Sequence, residues 1–304
     1  MKLSPVQPGA KIALLSPASF AMDERVEQGL AALRMLGFSP ELEKNARARG
    51  PLYFAGTAAE RLADLHASFA GDAAMVMCLR GGYGSNYLLD ALDLDLLAGH
   101  PKPFFAYSDL TALQLFLLDK LGLPAFHGPM SAADFFLEDG VHLPSFHAAI
   151  TGKPYSIGAD EGLRTLRPGT ARGTLYGGCL SIIATMLGTP WEPATEGKLL
   201  FLEDVAERPY RIDRMLWQLR NAGKFAGVSG FVFGEMLGCV EKDAPELLEQ
   251  AILNALDGIE VPIAFGLRSG HVSRANVTLT LGVEAELKLD AEARLTLCGT
   301  AVQA

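Results

Sequence analysis

Short apolar runs alternate with helix-period segments through the first 130 residues. Residues 11–19 (KIALLSPAS) read as a buried strand, and 23–36 as a helix stopped by Gly37. A second strand is predicted over 38–43, a helix over 58–70, and a strand over 73–79 (AAMVMCL) that runs into Arg80-Gly81-Gly82-Tyr83-Gly84. A short helix over 86–92, a strand over 103–107 (PFFAY), a helix over 109–121 closed by Gly122 and a strand over 124–127 complete this half. Strands alternating with helices of this length predict an α/β unit with a parallel sheet. Strands covered on both faces should be continuously apolar, as AAMVMCL is.

The pattern changes over residues 151–173, which are polar, Gly/Pro-rich and without helical period. They read as a linker between a first domain, 1–150, and a second, 174–304. The second half mixes helices (181–187, 210–222, 244–256) with strands (198–202, 230–233, 263–266). It closes with TLTLG (278–282), AELKL (285–289) and ARLTL (293–297). Their period of two predicts antiparallel strands with one face toward water.

Composition narrows the function. The chain has 304 residues, 49% hydrophobic and 20% charged, enough to bury a core without disulfides or metal. Its formal net charge of -9 argues against a general nucleic-acid binder, which needs a basic footprint, but leaves room for a local cationic pocket. Cys78, Cys179, Cys239 and Cys298 form no CxxC pair and read as reduced, mostly buried thiols. The N-terminal apolar stretch is interrupted by Pro5, Pro8 and Pro17 and has no signal-peptide cleavage pattern, and no run approaches a membrane span. A cytoplasmic protein with no membrane partner is expected. No HExxH or clustered ligand set suggests a metal, and no dinucleotide fingerprint suggests a cofactor: continuing Gly82-x-Gly84 would require glycine where Tyr87 stands.

Four segments carry candidate chemistry, each leaving the end of an apolar strand. Ser108 stands at a strand-to-helix junction, the setting of a nucleophile elbow, although Ser108 or Asp109 in that place also suits a plain helix cap. The Gly81-Gly82 turn lets backbone approach a ligand, or simply turns. Glu203 and Asp204 end the strand over 198–202, ahead of a helix whose apolar stripe is Ile212, Met215, Leu216 and Leu219. His271 follows the strand over 263–266 within Gly266-Leu267-Arg268-Ser269-Gly270-His271, and His127 is its rival as a base. A serine hydroxyl needs an imidazole to take its proton, and the imidazole needs a carboxylate to fix its tautomer. Ser, Glu and His drawn from the two halves would put a site in the cleft between them.

In order and spacing, RGGYG, AYSDLTAL, HGPM, YGGCLS, LGTPW, LFLEDVAERPYRIDRMLWQL and GLRSGH resemble the LD-carboxypeptidase family of serine peptidases, over nearly the whole chain. The resemblance implies a Rossmann-like N-terminal domain, a C-terminal domain with a β-barrel-like core, and a homodimer. It implies Ser108 as nucleophile, His271 as base and Glu203 as its orienter, with an oxyanion hole from the backbone N–H groups of Asp109 and of the Gly81-Gly82 turn, Gly82 in particular. No cofactor or metal is implied. The implied activity is removal of D-alanine from the L,D bond of murein tetrapeptides during cell-wall recycling. A related branch, the microcin C immunity proteins, implies an alternative, an amidase acting on aminoacyl or peptidyl nucleotides. A two-domain binding protein without chemistry is the non-enzyme alternative. Cys179 stands where the family commonly has Asn, and Val272 where it usually has Gly. Trp191, in a loop, is the candidate for stacking on a base, whereas Trp217 is expected to pack; Arg80 and Arg268 are candidates for a substrate carboxylate.

Overall fold

The first half follows the predicted alternation closely in the computed structural model, which describes residues 1–241 and 243–303. Strands β1 (Lys11–Leu15), β2 (Ser39–Leu42), β3 (Met75–Cys78), β4 (Phe104–Ala106) and β5 (Ala125–His127) lie parallel. Helices α1 (Asp23–Met35), α2 (Ala58–Ala70), α3 (Leu94–Gly99), α4 (Thr111–Leu121) and α5 (Leu143–Thr151) accompany them, with 3-10 turns at Ser85–Ala91 and Ser108–Leu110. The periodicity does not predict α3 or α5, short half-buried helices of six and nine residues. α2 occupies the predicted range because its ends are chemically marked. Thr57 Oγ1 accepts the Glu60 N–H at 3.2 Å while the Glu60 carboxylate accepts the Thr57 N–H at 2.8 Å. All four β3 residues are buried, so MVMC has no polar alternation to show.

The first sheet has the order β12-β5-β4-β3-β1-β2, where β12 is Leu279–Leu281. Its five parallel strands thus run 5-4-3-1-2, and the order reverses between β1 and β3. Open sheets of this kind bind ligands beyond the strand ends at that reversal. β12 comes from the TLTLG segment of the second half and lies antiparallel on β5, with Leu279 opposite His127. Its alternation does not mark a wet face: Leu279, Thr280 and Leu281 are all buried.

The barrel-like core expected for the second half takes the form of an eight-stranded mixed sheet. Its strands are β6 (Tyr155–Ile157), β7 (Arg164–Arg167), β8 (Gly169–Cys179), β9 (Lys198–Glu203), β10 (Gly230–Gly234), β11 (Ile263–Leu267), β13 (Glu284–Leu289) and β14 (Ala293–Leu297), in the order β6-β14-β13-β8-β9-β10-β11-β7. β8 to β11 are parallel and the outer strands antiparallel. The two ends, β6 and β7, are not paired with each other among the described residues. Helices α6 (Leu180–Thr185), α7 (Pro209–Asn221) and α8 (Leu247–Ala255) pack with it. On β13 the alternation behaves as predicted, with Ala285, Leu287 and Leu289 buried.

One reading needs correcting. Residues 151–173 do not form a bare linker, because they carry β6, a 3-10 turn at Ala159–Glu161, β7 and the start of β8. β6 and β7 are the two edges of the sheet. Edge strands tolerate charge, proline and glycine that a central strand would not, and so imitate linker composition.

Candidate active site

The first side of the site is built from backbone. β4 ends at Ala106, and Ser108 then adopts φ +66°, one of four non-glycine residues with positive φ among those described. A left-handed serine is a strained conformation, and such strain gathers at functional sites. The 3-10 turn that follows leads straight into α4. Gly81 lies against this turn so closely that a Cβ there would sit 2.8 Å from Ser108 Cβ. Neither Ser108 nor Asp109 caps α4 with its side chain. The buried Asp109 carboxylate instead accepts the Ser85 N–H at 2.8 Å, while Ser85 Oγ donates to the Asp109 carbonyl at 2.7 Å. Arg61 donates to the carbonyls of Pro17 and Gly84, both at 2.7 Å. The glycine turn is thereby stapled to the serine turn.

The second side is built from charge. β9 delivers Glu203 with its side chain sealed from solvent, at 0% exposure. Its Oε2 accepts two hydrogen bonds from His271, from Nδ1 at 2.9 Å and from the backbone N–H at 3.0 Å. Glycine makes room for this: a Cβ on Gly234 would lie 2.6 Å from Glu203 Cβ, and one on Gly270 2.5 Å from its Cδ. Asn276 clamps the loop, accepting the Gly270 N–H at 3.0 Å and donating to the Gly270 carbonyl at 3.1 Å. Asn276 also donates to Asp134 Oδ1 at 3.2 Å, whose carboxyl burial pushes up to about 7. Burial is the largest single influence on Glu203 and opposes its charge, but His271 and His127 together outweigh it and hold the carboxyl well below the usual range. Burial likewise lowers His271, and the Glu203 carboxylate, with smaller help from Asp204 and Asp134, outweighs it and raises the imidazole above its ordinary value. Asp204 points elsewhere, accepting the N–H groups of Ser181 and Val205, and burial pushes it up to about 6.

The two sides meet across a cleft of about 210 Å³ lined by Arg25, Arg80, Gly81, Gly82, Ser108 and His271, among others. The Tyr107 ring meets His271 edge-on, centroids 5.1 Å apart. With Nδ1 committed to Glu203, Nε2 is the imidazole nitrogen left for a hydroxyl. No hydrogen bond joins Ser108 Oγ to His271 among the described residues; catalytic hydrogen bonds in unliganded sites often tighten only when substrate binds. No group of three His, Cys, Asp or Glu side chains is placed to hold a metal among those residues.

Other expectations are redistributed. His127, the rival base, does not line the cleft: it is fully buried behind Glu203, its Nε2 3.8 Å from Oε1. Arg80 lines the cleft, but Arg268 does not; its guanidinium donates to the Asp160 carbonyl. Arg25 takes the second cationic place at the cleft, and its helical spacing on α1 carried no sign of it. The tryptophans exchange their expected roles: Trp191 packs against the first core, and Trp217 is 62% exposed on α7. Cys179 pairs in register with Glu203 and gives its N–H to Thr111 Oγ1 at 3.1 Å. Cys78, Cys179 and Cys239 are buried, and Cys298 is exposed. Val272 is half-buried beside His271.

An α/β fold with a strained serine facing a carboxylate-bound imidazole belongs with the serine hydrolases. Comparison with known proteins makes this specific. Residues 12–128 match the LD-carboxypeptidase N-terminal domain and residues 172–287 the LD-carboxypeptidase C-terminal domain. The chain belongs to this family of serine-type hydrolases. The murein tetrapeptide carboxypeptidase of Pseudomonas aeruginosa is 35% identical over 271 residues, covering 86% of this chain and 88% of the relative. A crystal structure of muramoyltetrapeptide carboxypeptidase from Oxalobacter formigenes superposes with a TM-score of 0.85 at 30% identity, covering 95% of this chain and 99% of that one. The microcin C7 self-immunity protein of Escherichia coli is 28% identical over 309 residues, covering 90% and 88%. No helix among the described residues is long and apolar enough to cross a membrane.

Proposed function

We propose that this LD-carboxypeptidase removes D-alanine from the L,D bond of murein tetrapeptides, in the cytoplasm, as a step of cell-wall recycling. The observation that carries the reading is the left-handed Ser108 sharing a cleft with an imidazole already bound to a buried carboxylate. Ser108 Oγ attacks the carbonyl that precedes the terminal D-alanine, and its proton passes to His271 Nε2. The oxyanion is met by the backbone N–H groups of Asp109, next to the serine in its turn, and of Gly82, which lines the same cleft. His271 returns the proton to the leaving amine, so that free D-alanine departs and a tripeptidyl ester remains on Ser108. Water, deprotonated by the same imidazole, hydrolyses the ester and restores the serine. Glu203 stabilises the imidazolium in both halves of the cycle.

Arg25 and Arg80 suit the carboxylate at the substrate's end, because they bring positive charge to the cleft of a chain whose net charge is -9. The immunity-type reading has the microcin relative in its favour. Stacking on a nucleobase calls for an open aromatic platform, however; neither Trp191 nor Trp217 lines the cleft, and Tyr107, which does, is buried with its ring edge-on to His271. A binding protein without chemistry would have no use for the strain at Ser108. Incubation of the purified protein with free tetrapeptide, and separately with an aminoacyl sulfamoyl adenosine, followed by mass analysis, tests the choice. The tetrapeptide should lose one D-alanine; cleavage of the adenosine conjugate alone would overturn the reading. The family resemblance also implies a homodimer, which sedimentation at micromolar concentration would reveal, a monomer there contradicting it.

A further inference from the structure

His127 sits where the two sheets touch. It is the last residue of β5, in register with Ala106 of β4 on one side and with Leu279 of β12 on the other. Its ring is fully buried between Phe201 of β9, centroids 5.0 Å apart, and Tyr107, 5.9 Å away. Nδ1 lies 3.1 Å from Ser269 Oγ, in the loop that two residues later carries His271. Nε2 lies 3.8 Å from Glu203 Oε1. Both Nε2 and Oε1 are shielded from water and have no other hydrogen-bond partner.

Two unpaired polar atoms of a carboxylate and an imidazole, face to face in a dry interior, settle the tautomer. A lone pair on Nε2 would repel the carboxylate, whereas a proton there attracts it. Nδ1 then accepts from the Ser269 hydroxyl, which matches the 3.1 Å separation. A small ring rotation closes the remaining gap to a hydrogen bond, and burial of both atoms favours that closure.

We infer that His127 is a positioning residue for the catalytic pair: its Nε2–H holds the rear oxygen of Glu203, and Ser269 holds its Nδ1. The carboxylate that orients His271 is therefore aimed from the first sheet, by the strand adjacent to the one that presents Ser108. Nucleophile and base are kept in mutual register across the two sheets by one buried ring. This inference rests on the triad proposed above.

Removing the donor leaves Oε1 unpaired and concentrates negative charge on the oxygen facing His271, which must raise the imidazole's proton affinity. The other charged or titratable groups around His271 are Asp204 at the end of β9, Asp134, and Tyr107, with Arg25 and Arg80 across the cleft. Around His127 they are Glu203 and Tyr107, with Ser269 as its polar partner and Phe201 and Leu279 neutral. None of these changes in the variants except Ser269 where it is the one replaced.

The test is an NMR titration of the His271 ring in wild type, His127→Phe, His127→Gln and Ser269→Ala, with circular dichroism to establish folding. His127→Phe should raise the His271 midpoint by about one pH unit, as expected for loss of a hydrogen bond to a charged group. Its kcat on tetrapeptide should fall about 100-fold, the cost of a misaimed catalytic group, with KM little changed. His127→Gln, whose amide also donates, should restore most of both, and Ser269→Ala should shift the midpoint the same way by less. Should the phenylalanine variant not fold, the glutamine and alanine variants still report. An unchanged His271 midpoint in every folded variant would overturn the inference, as would His127→Gln behaving like His127→Phe. The titration needs no substrate, so an enzyme inactive on tetrapeptide would count against the proposed function and leave this result readable.

Discussion

The two sides of the cleft are organised by different physics. On the Ser108 side the geometry is held by backbone: a left-handed serine, a glycine turn in van der Waals contact with it, and ties through Asp109, Ser85 and Arg61. On the His271 side it is held by electrostatics, with one buried carboxylate balanced against the imidazole that faces it. Backbone strain places an atom, and a buried charge pair sets a proton affinity. The first should fail sterically and without regard to pH. The second should fail as a displaced pH profile.

The largest expected effect is loss of the proposed nucleophile. Ser108→Ala should lower kcat by about 10⁶, measured as D-alanine released from tetrapeptide. Glu203→Gln should cost about 10⁴, since the nucleophile and base remain while orientation and charge are lost. It should also move the pH profile in a defined direction. In the wild type the carboxylate raises His271, so the acid limb of kcat/KM, where the imidazole becomes protonated and useless as a base, should lie above the ordinary histidine value. Without the carboxylate, burial is opposed only by the smaller influences of Asp204 and Asp134, so the imidazole is lowered relative to wild type and the limb should move to lower pH. A limb that stays in place or rises in Glu203→Gln would contradict the electrostatic account of that side.

Gly81→Ala should cost about 100-fold in kcat, because the new Cβ must displace Ser108 from its position. Its acid limb should not move, which separates the two sides in one experiment. Arg80→Ala should raise KM by about 10-fold, as loss of a charge on the substrate carboxylate would, while Arg268→Ala should leave KM unaltered. Trp217→Ala, at an exposed position, should change stability by less than about 0.5 kcal/mol in chemical denaturation.

Where local chemistry decides, the chain announces its structure. The helix over 58–70 is bracketed by its capping box, the strand over 75–78 is apolar throughout, and the strand ends carrying Ser108, Glu203 and His271 follow from their apolar runs. Where a long-range partner decides, it does not. Residues 155–157 and 164–167 look like linker because edge strands share its composition. TLTLG looks half-wet because nothing local shows that it crosses to cover β5. Arg25 enters the cleft only because α1 is carried there by the sheet, and Trp191 is half-buried only because the first core lies beneath its loop. The two histidines show the same divide. His271 has glycine beside it and a strand behind it, which its neighbours in sequence reveal. The contact of His127 with Glu203 spans 76 positions and needs both sheets in place.

The proposed mechanism requires Ser108 and His271, from opposite sides of the cleft, to work as one unit. The direct measurement is kcat for D-alanine release from murein tetrapeptide by Ser108→Ala, His271→Ala and the double variant, alongside wild type. A single unit predicts that each replacement costs about 10⁶ and that the double variant is no worse than either alone. A His271→Ala enzyme that keeps a percent or more of wild-type turnover, or a double variant whose loss is the product of the two single losses, would contradict it.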